Sequence, residues 1–265
     1  MPTEAPLAAA LAADLALALD PVRLARRTGM EPDPWQAELL RSSAQQTILL
    51  CSRQAGKSTT TSVLALHEAQ YHPPALVLLL SPSLRQSQEL FRKVTEARAA
   101  LGSEACPVTE SSALRLELAN GSRVVCLPGK ESTIRGYSGV RLLVVDEASR
   151  VPDDLYQAVR PMLAVSGGRL VLLSTPFGKR GFFHHEWTEG GAGWQRVKVT
   201  AADCPRIPPA WLAAERETIG DWWYRQEYEC EFVETDDQVF GYDLVTGAVS
   251  SDVQPFFGGW KCMDP

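Results

Sequence analysis

Four continuous apolar runs of strand length, at 47–50, 76–80, 142–145 and 170–173, constrain this chain more than any other feature. Each ends at a polar or small residue followed by a loop, and helix-like segments at 57–71, 83–101 and 152–163 separate them. A strand covered by helices on both faces needs unbroken apolarity, whereas a half-solvated strand alternates. The pattern predicts an α/β chain with a mostly parallel central sheet flanked by helices. One antiparallel addition is expected: residues 113–118 alternate, Asn120-Gly121 supplies a turn, and 122–127 return as the partner strand.

The first run leads directly into Cys51-Ser52-Arg53-Gln54-Ala55-Gly56-Lys57-Ser58-Thr59. This is the layout of a phosphate-binding loop between a buried strand and a helix. Unpaired N–H groups at the helix N-terminus face an anion, the lysine neutralises terminal phosphates, and the next hydroxyl ligates magnesium. Residues Ser52 to Thr59 are thus the expected nucleotide cradle, with Lys57 and Ser58 in the last two roles. Cys51 stands where the G-x-x-x-x-G-K-[ST] pattern has its first glycine, so the motif is a variant.

The third run ends in Asp146-Glu147. An aspartate at the tip of a core strand can hold magnesium directly or through water, and an adjacent glutamate can deprotonate the attacking water. Asp146 is the expected metal-side acid and Glu147 the catalytic base. A lone Asp-Glu after a strand is often only a helix cap; its order after the phosphate loop favours catalysis, with a nucleoside triphosphate and Mg²⁺ implied. The fourth run ends in Ser174-Thr175-Pro176, whose hydroxyls could sense the γ-phosphate or its water. Upstream, Asp33-Pro34-Trp35-Gln36 opens a short helix, and a Gln amide beside an aromatic can read an adenine edge. Two arginines, Arg135 on a Gly-containing loop and Arg53 within the phosphate loop, compete for stabilising charge on the transferring phosphoryl group, the first from a neighbouring subunit.

With 265 residues, 45% hydrophobic and 22% charged, the chain can bury one large core plus appendages. The apolar stretch 8–19 follows Glu4, contains Asp14 and has no preceding basic residue, so it reads as a helix closed by Asp20-Pro21 rather than a signal or membrane anchor. Six cysteines with no C-x-x-C pair argue against structural zinc or a disulfide frame and favour the cytosol. A formal charge of −6 leaves nucleic-acid contact to local clusters: Arg23-Arg26-Arg27, Arg85-Arg92-Lys93 or Lys179-Arg180. The expected organisation is a core with an N-terminal helical extension at 1–199, ending in a strand at 194–199. A small helical lid or linker with two helices within 209–229 follows at 200–235. Residues 236–265, without a helix pattern, read as a linker.

Taken together, these motifs resemble the ATPase domain of the large terminase subunit of tailed bacteriophages. That family's variant loop reads S-R-Q-x-G-K-[ST], as Ser52-Arg53-Gln54-Ala55-Gly56-Lys57-Ser58 does, and tolerates a non-glycine residue before it. Trp35-Gln36, Arg135-Gly136, Asp146-Glu147-Ala148, Ser174-Thr175-Pro176 and the Gln-Glu-Tyr-x-Cys-Glu-Phe run at 226–232 follow in order. The resemblance implies a P-loop NTPase of RecA-like fold that hydrolyses ATP with Mg²⁺ and drives double-stranded DNA into a procapsid. Portal protein and small terminase subunit are its implied partners, in a homo-oligomeric ring that an isolated chain need not form. The host cytoplasm is its implied location. It further places Arg135 at the position that acts as an intersubunit arginine finger in some members, leaving the choice between Arg135 and Arg53 open, and implies that Asp264 would be a metal ligand of a nuclease domain in a longer protein. A superfamily-2 helicase-like ATPase is the main alternative, and a nucleotide-binding assembly module without turnover the other.

Overall fold

The computed structural model describes residues 4–128, 136–234 and 242–248. Its strands, in chain order, are β1 (Gln46–Cys51), β2 (Leu76–Ser81), β3 (Val108–Ser111), β4 (Arg115–Leu118), β5 (Arg123–Pro128), β6 (Leu142–Asp146), β7 (Arg169–Ser174) and β8 (Trp194–Val199). All eight join one sheet in the order β3-β4-β5-β2-β6-β7-β1-β8. The four apolar runs are therefore its four central strands, β2, β6, β7 and β1. Pairing is parallel from β5 to β8 across the sheet, and only the β3–β4 and β4–β5 pairs are antiparallel, with the Asn120-Gly121 turn joining β4 to β5 as expected.

The helices are α1 (Glu4–Leu19), α2 (Pro21–Arg27), α3 (Pro34–Arg41), α4 (Lys57–Tyr71), α5 (Leu84–Ala100), α6 (Asp153–Val159), α7 (Gly181–Thr188), α8 (Pro209–Ile219), α9 (Asp221–Glu227) and α10 (Tyr242–Ala248). Alternate residues of each central strand face opposite sides, as the pleat requires. Leu49, Val77, Leu79, Val144 and Val171 pack with α2, α3, α4 and α5 in one cluster. Ile48, Leu78, Leu80, Val145 and Leu172 pack with α6 and α7 in the other. At about 1.5–3 kcal/mol for each fully buried aliphatic side chain, this two-sided burial is what holds the sheet. A third, small cluster of Ala201, Leu212, Tyr224 and Tyr228 binds α8 and α9 together.

Asp20 caps α2, its carboxylate accepting from the Val22 N–H at 3.1 Å, so the chain turns between α1 and α2 instead of extending one long helix. No described helix is long and apolar enough to cross a membrane. The structure adds elements that the pattern did not predict. Strand β3 is fully exposed and carries no apolar run, and α2 and α7 have only two turns. Within 236–265, expected to lack a helix pattern, α10 forms a seven-residue helix whose Leu244 and Val245 are exposed. So short a helix with solvated apolar residues has no buried stripe for sequence to display. The chain divides into two compact units, Met1–Val233 and Glu234–Pro265.

Candidate active site

Strand β1 runs to Cys51, which is still paired with Val199 of β8 and completely buried. The Ser52 N–H continues that ladder to the Val199 carbonyl at 2.8 Å. Cys51 is thus a strand residue with ordinary backbone, and its thiol, pushed up by burial, belongs to the core. No glycine is needed there. The positive φ values fall instead at Gln54 and Gly56. Gly56, at φ 88, ψ 14, caps α4 and opens it directly into Lys57. The left-handed conformation favours glycine, and a Cβ on Gly56 would stand 2.8 Å from Gln36 Nε2 and displace that amide.

Opposite the loop stand the tips of β6 and β7, where ligands of open parallel sheets bind. Lys57 Nζ is 3.3 Å from Glu147 Oε1, and Ser58 Oγ donates to Asp146 Oδ2 at 3.1 Å. Burial and the neighbouring Glu147 charge push the Asp146 carboxyl up to about 6. Burial alone would lower Lys57, but Glu147 and Asp146 outweigh it and hold the ammonium above its usual range. Glu147 occupies the left-handed region at φ 51, ψ 43, uncommon for a non-glycine residue, and this turns its carboxylate from the end of β6 toward the loop. Ser174, buried at the tip of β7, lies 3.4 Å from Glu147 Oε2 and 2.7 Å from Ser149 Oγ. Ser149 also donates to the Thr175 carbonyl at 2.9 Å. These groups surround a cleft of about 390 Å³ lined by Arg53, Gln54, Gly56 to Thr59, Gln86, Lys93, Glu147, Arg150 and Thr175. Beside it, and sharing Gly56, Thr59 and Lys93, is a second cavity of about 490 Å³ that includes Met30, Gln36, Val63, Ala97 and Arg206.

The expected base-reading pair is split. Gln36 is buried and lines the second cavity, but its Oε1 accepts from the Asp33 N–H at 2.8 Å and its Nε2 donates to the Ala55 carbonyl at 3.3 Å. It braces the phosphate loop. Trp35 packs partly buried against the core cluster and is on the wall of neither cavity. Successive residues on a helix point about 100° apart, so only one of the two can face the loop. Arg53 lines the cleft with its Nε bound to Glu227 at 2.6 Å. Arg135 and Asp264 lie outside the described residues.

Three participants went unnoticed in the sequence. Arg206 makes a bidentate pair with Asp33 at 2.8 and 2.7 Å and also donates to the Ala55 carbonyl at 3.3 Å. Glu227 holds the loop through Arg53, and Arg150 lines the cleft. Only Glu227 carried a signal, its place in the run at 226–232. Among the basic clusters, Arg23, Arg26, Arg27 and Arg92 are paired with acids, while Lys93 faces both cavities and Arg180 lies 4.6 Å from the Phe177 ring centre.

A family model described as terminase large subunit, T4likevirus-type, N-terminal, matches residues 48–246. This chain belongs to the large terminase subunit family. The large terminase subunit of Thermus phage G20c is 29% identical to it over 253 residues, covering 82% of this terminase chain and 52% of the relative. The large terminase subunit of Thermus virus P23-45 matches to the same extent. The chain spans about half the length of these curated relatives. Among solved structures, the large terminase ATPase domain of Thermus phage P74-26 has a TM-score of 0.71 at 24% identity, covering 79% of this chain and 97% of that domain. The large terminase of a thermophilic bacteriophage, solved in complex with ATP-gamma-S, has a TM-score of 0.62 at 16% identity, covering 76% of this chain and 53% of that one. The terminase chain has the RecA-like P-loop fold of these ATPase domains.

Proposed function

We propose that this chain is the ATP-hydrolysing motor domain of a phage large terminase subunit, which translocates double-stranded DNA into a procapsid. The observation that carries the reading is the convergence of Lys57, Ser58 and Glu147 on one cleft at the strand tips, with Asp146 held against Ser58. Family membership favours this over a helicase-like ATPase or an assembly module without turnover.

The loop N–H groups between Gln54 and Ser58 would bind the phosphates and Lys57 would neutralise the terminal ones. The Ser58 hydroxyl and Asp146 carboxylate, 3.1 Å apart, are hard oxygen donors that would hold Mg²⁺. Bound there, magnesium would neutralise charge on the phosphate oxygens. When phosphate takes Lys57, Glu147 is freed from the contact it holds at rest. It can then accept a proton from the water that attacks the γ-phosphorus in line, yielding ADP and phosphate. Ser174, touching Glu147, would orient that carboxylate and carry its change to the segment after Thr175. Gln36 and the cavity it lines would take the base, the amide acting while it braces Ala55.

Residues 1–199 would form the core, 200–235 a lid or linker that moves against it, and 236–265 the lead into a nuclease domain of the whole protein. Double-stranded DNA, portal protein, the small terminase subunit and further copies of the chain in a ring are its proposed partners in the host cytoplasm. Arg135 is the proposed intersubunit finger, and Lys179-Arg180 the first place to seek DNA contact. The deciding experiment is Mg²⁺-dependent phosphate release by the purified chain and by Glu147→Ala. The variant should bind ATP and lose turnover; unchanged hydrolysis would refute the assignment.

A further inference from the structure

The run at 226–232 has no chemistry in the mechanism above, yet the structure sets its glutamate against the phosphate loop. Glu227 closes α9, is buried, and meets Arg53 twice: the Arg53 N–H donates to its carbonyl at 3.1 Å and Arg53 Nε to its carboxylate Oε2 at 2.6 Å. The second carboxylate oxygen, Oε1, is 3.9 Å from Arg150 Nη2. Arg150 follows β6 by one short turn and lines the phosphate cleft with Lys57, Glu147 and Thr175. Its guanidinium also sits 4.1 Å from the centre of the Phe177 ring, which Arg180 shares.

A buried carboxylate needs cationic partners, and here both partners belong to the walls of the phosphate cleft. A triphosphate entering that cleft offers the same guanidiniums more charge and a matching set of oxygens. Both arginines keep substantial exposure, 59% for Arg53 and 33% for Arg150, while Glu227 has 8%. The arginines can turn toward a ligand, and the glutamate cannot follow without moving its helix.

We propose that Arg150, with Arg53, contacts the terminal phosphate from within the same chain, and that Glu227 is the counter-ion both give up to it. The inference rests on the nucleotide reading. Phosphate entry exchanges the Glu227 carboxylate for phosphate oxygens and loosens α9 from the loop; loss of the γ-phosphate returns the arginines to Glu227. Phe177 carries the shift of Arg150 to the Lys179-Arg180 segment. Glu227 is a positioning residue, and Arg150 the one that touches the ligand.

The test is calorimetric titration of the intact chain with magnesium AMPPNP and magnesium ADP, alongside amide exchange across α9. Arg150→Ala should weaken AMPPNP at least roughly tenfold, the equivalent of one charge-assisted hydrogen bond, and ADP less than about twofold. Arg150→Lys should recover part of the difference, and carries the comparison if the alanine variant does not fold. In the wild type, α9 should exchange faster with AMPPNP than with ADP. In Glu227→Gln, it should exchange fast with either and without nucleotide. Equal weakening of both nucleotides by Arg150→Ala, or α9 exchange indifferent to the γ-phosphate in the wild type, overturns this inference alone. A wild-type chain that binds neither nucleotide overturns the nucleotide reading and this inference with it.

Discussion

Replacing Gly56 by alanine tests whether the phosphate loop is braced from outside as the geometry indicates. Gly56 sits at φ 88, ψ 14, where an L-residue costs roughly 1–2 kcal/mol. The new methyl would stand 2.8 Å from Gln36 Nε2, so Gln36 must yield. Gln36 is tied to the Asp33 N–H at 2.8 Å and to the Ala55 carbonyl at 3.3 Å, and each bond lost costs about 1 kcal/mol. Gly56→Ala should therefore destabilise the domain by about 2–4 kcal/mol, combining these strain and hydrogen-bond terms. Urea unfolding should show a lower midpoint with an unchanged slope. The clash contribution is separable, because Gln36→Ala removes its partner. In that background the glycine substitution should cost only the backbone share, a coupling of about 1–2 kcal/mol. A single-variant loss under about 0.5 kcal/mol, or additive free energies in the double variant, would refute the bracing argument.

Lys57→Ala should abolish triphosphate binding in a calorimetric titration, since the ammonium is the buried cation at the head of the cleft. Glu147→Gln should cut steady-state ATP turnover by at least about 100-fold, the usual share of a general base, with affinity kept or raised because Lys57 loses a competitor. Mixing Arg135→Ala with Glu147→Ala subunits should restore part of the ATPase rate if the arginine acts across an interface; no recovery in rings shown to be mixed would assign it to its own chain. Burial holds the His67 imidazole below its usual 6.5, with Nε2 3.0 Å from the Ala18 carbonyl. The unfolded chain then takes up this proton first, so stability is full above about pH 6.5 and falls as pH drops below it. Thermal melts of wild type and His67→Gln should differ in this slope, with the share from His184, also depressed by burial, remaining in both.

The parts legible in sequence are those whose cause is local. Helix α4 spans 57–71 as expected, because glycine in the left-handed region starts it and the apolar strand before it fixes its place. The central strands were visible because helices on both faces demand unbroken apolarity. Arg206 was not, and Glu227 showed only as part of the run at 226–232 with no hint of its partner, since Asp33 and Arg53 lie 173 and 174 residues away from them. Nothing near Arg206, between Pro205 and Pro208, marks it as more than a solvated linker residue. Trp35 shows the converse: it adjoins Gln36 in sequence, yet it packs against the core cluster while Gln36 meets the Ala55 carbonyl.

The strand order has a dimensional consequence. Strand β7 stands between β1, which leads into the loop at 52–59, and β6, which ends at Asp146 and Glu147. Neighbouring strands are about 4.8 Å apart, so loop and acids are anchored roughly 10 Å from each other, and Lys57 and Glu147 close that span above the tip of β7. Within that span Ser174, at the tip of the intervening strand, meets the Glu147 carboxylate at 3.4 Å, so β7 contributes a contact to the gap although it carries neither of the two groups.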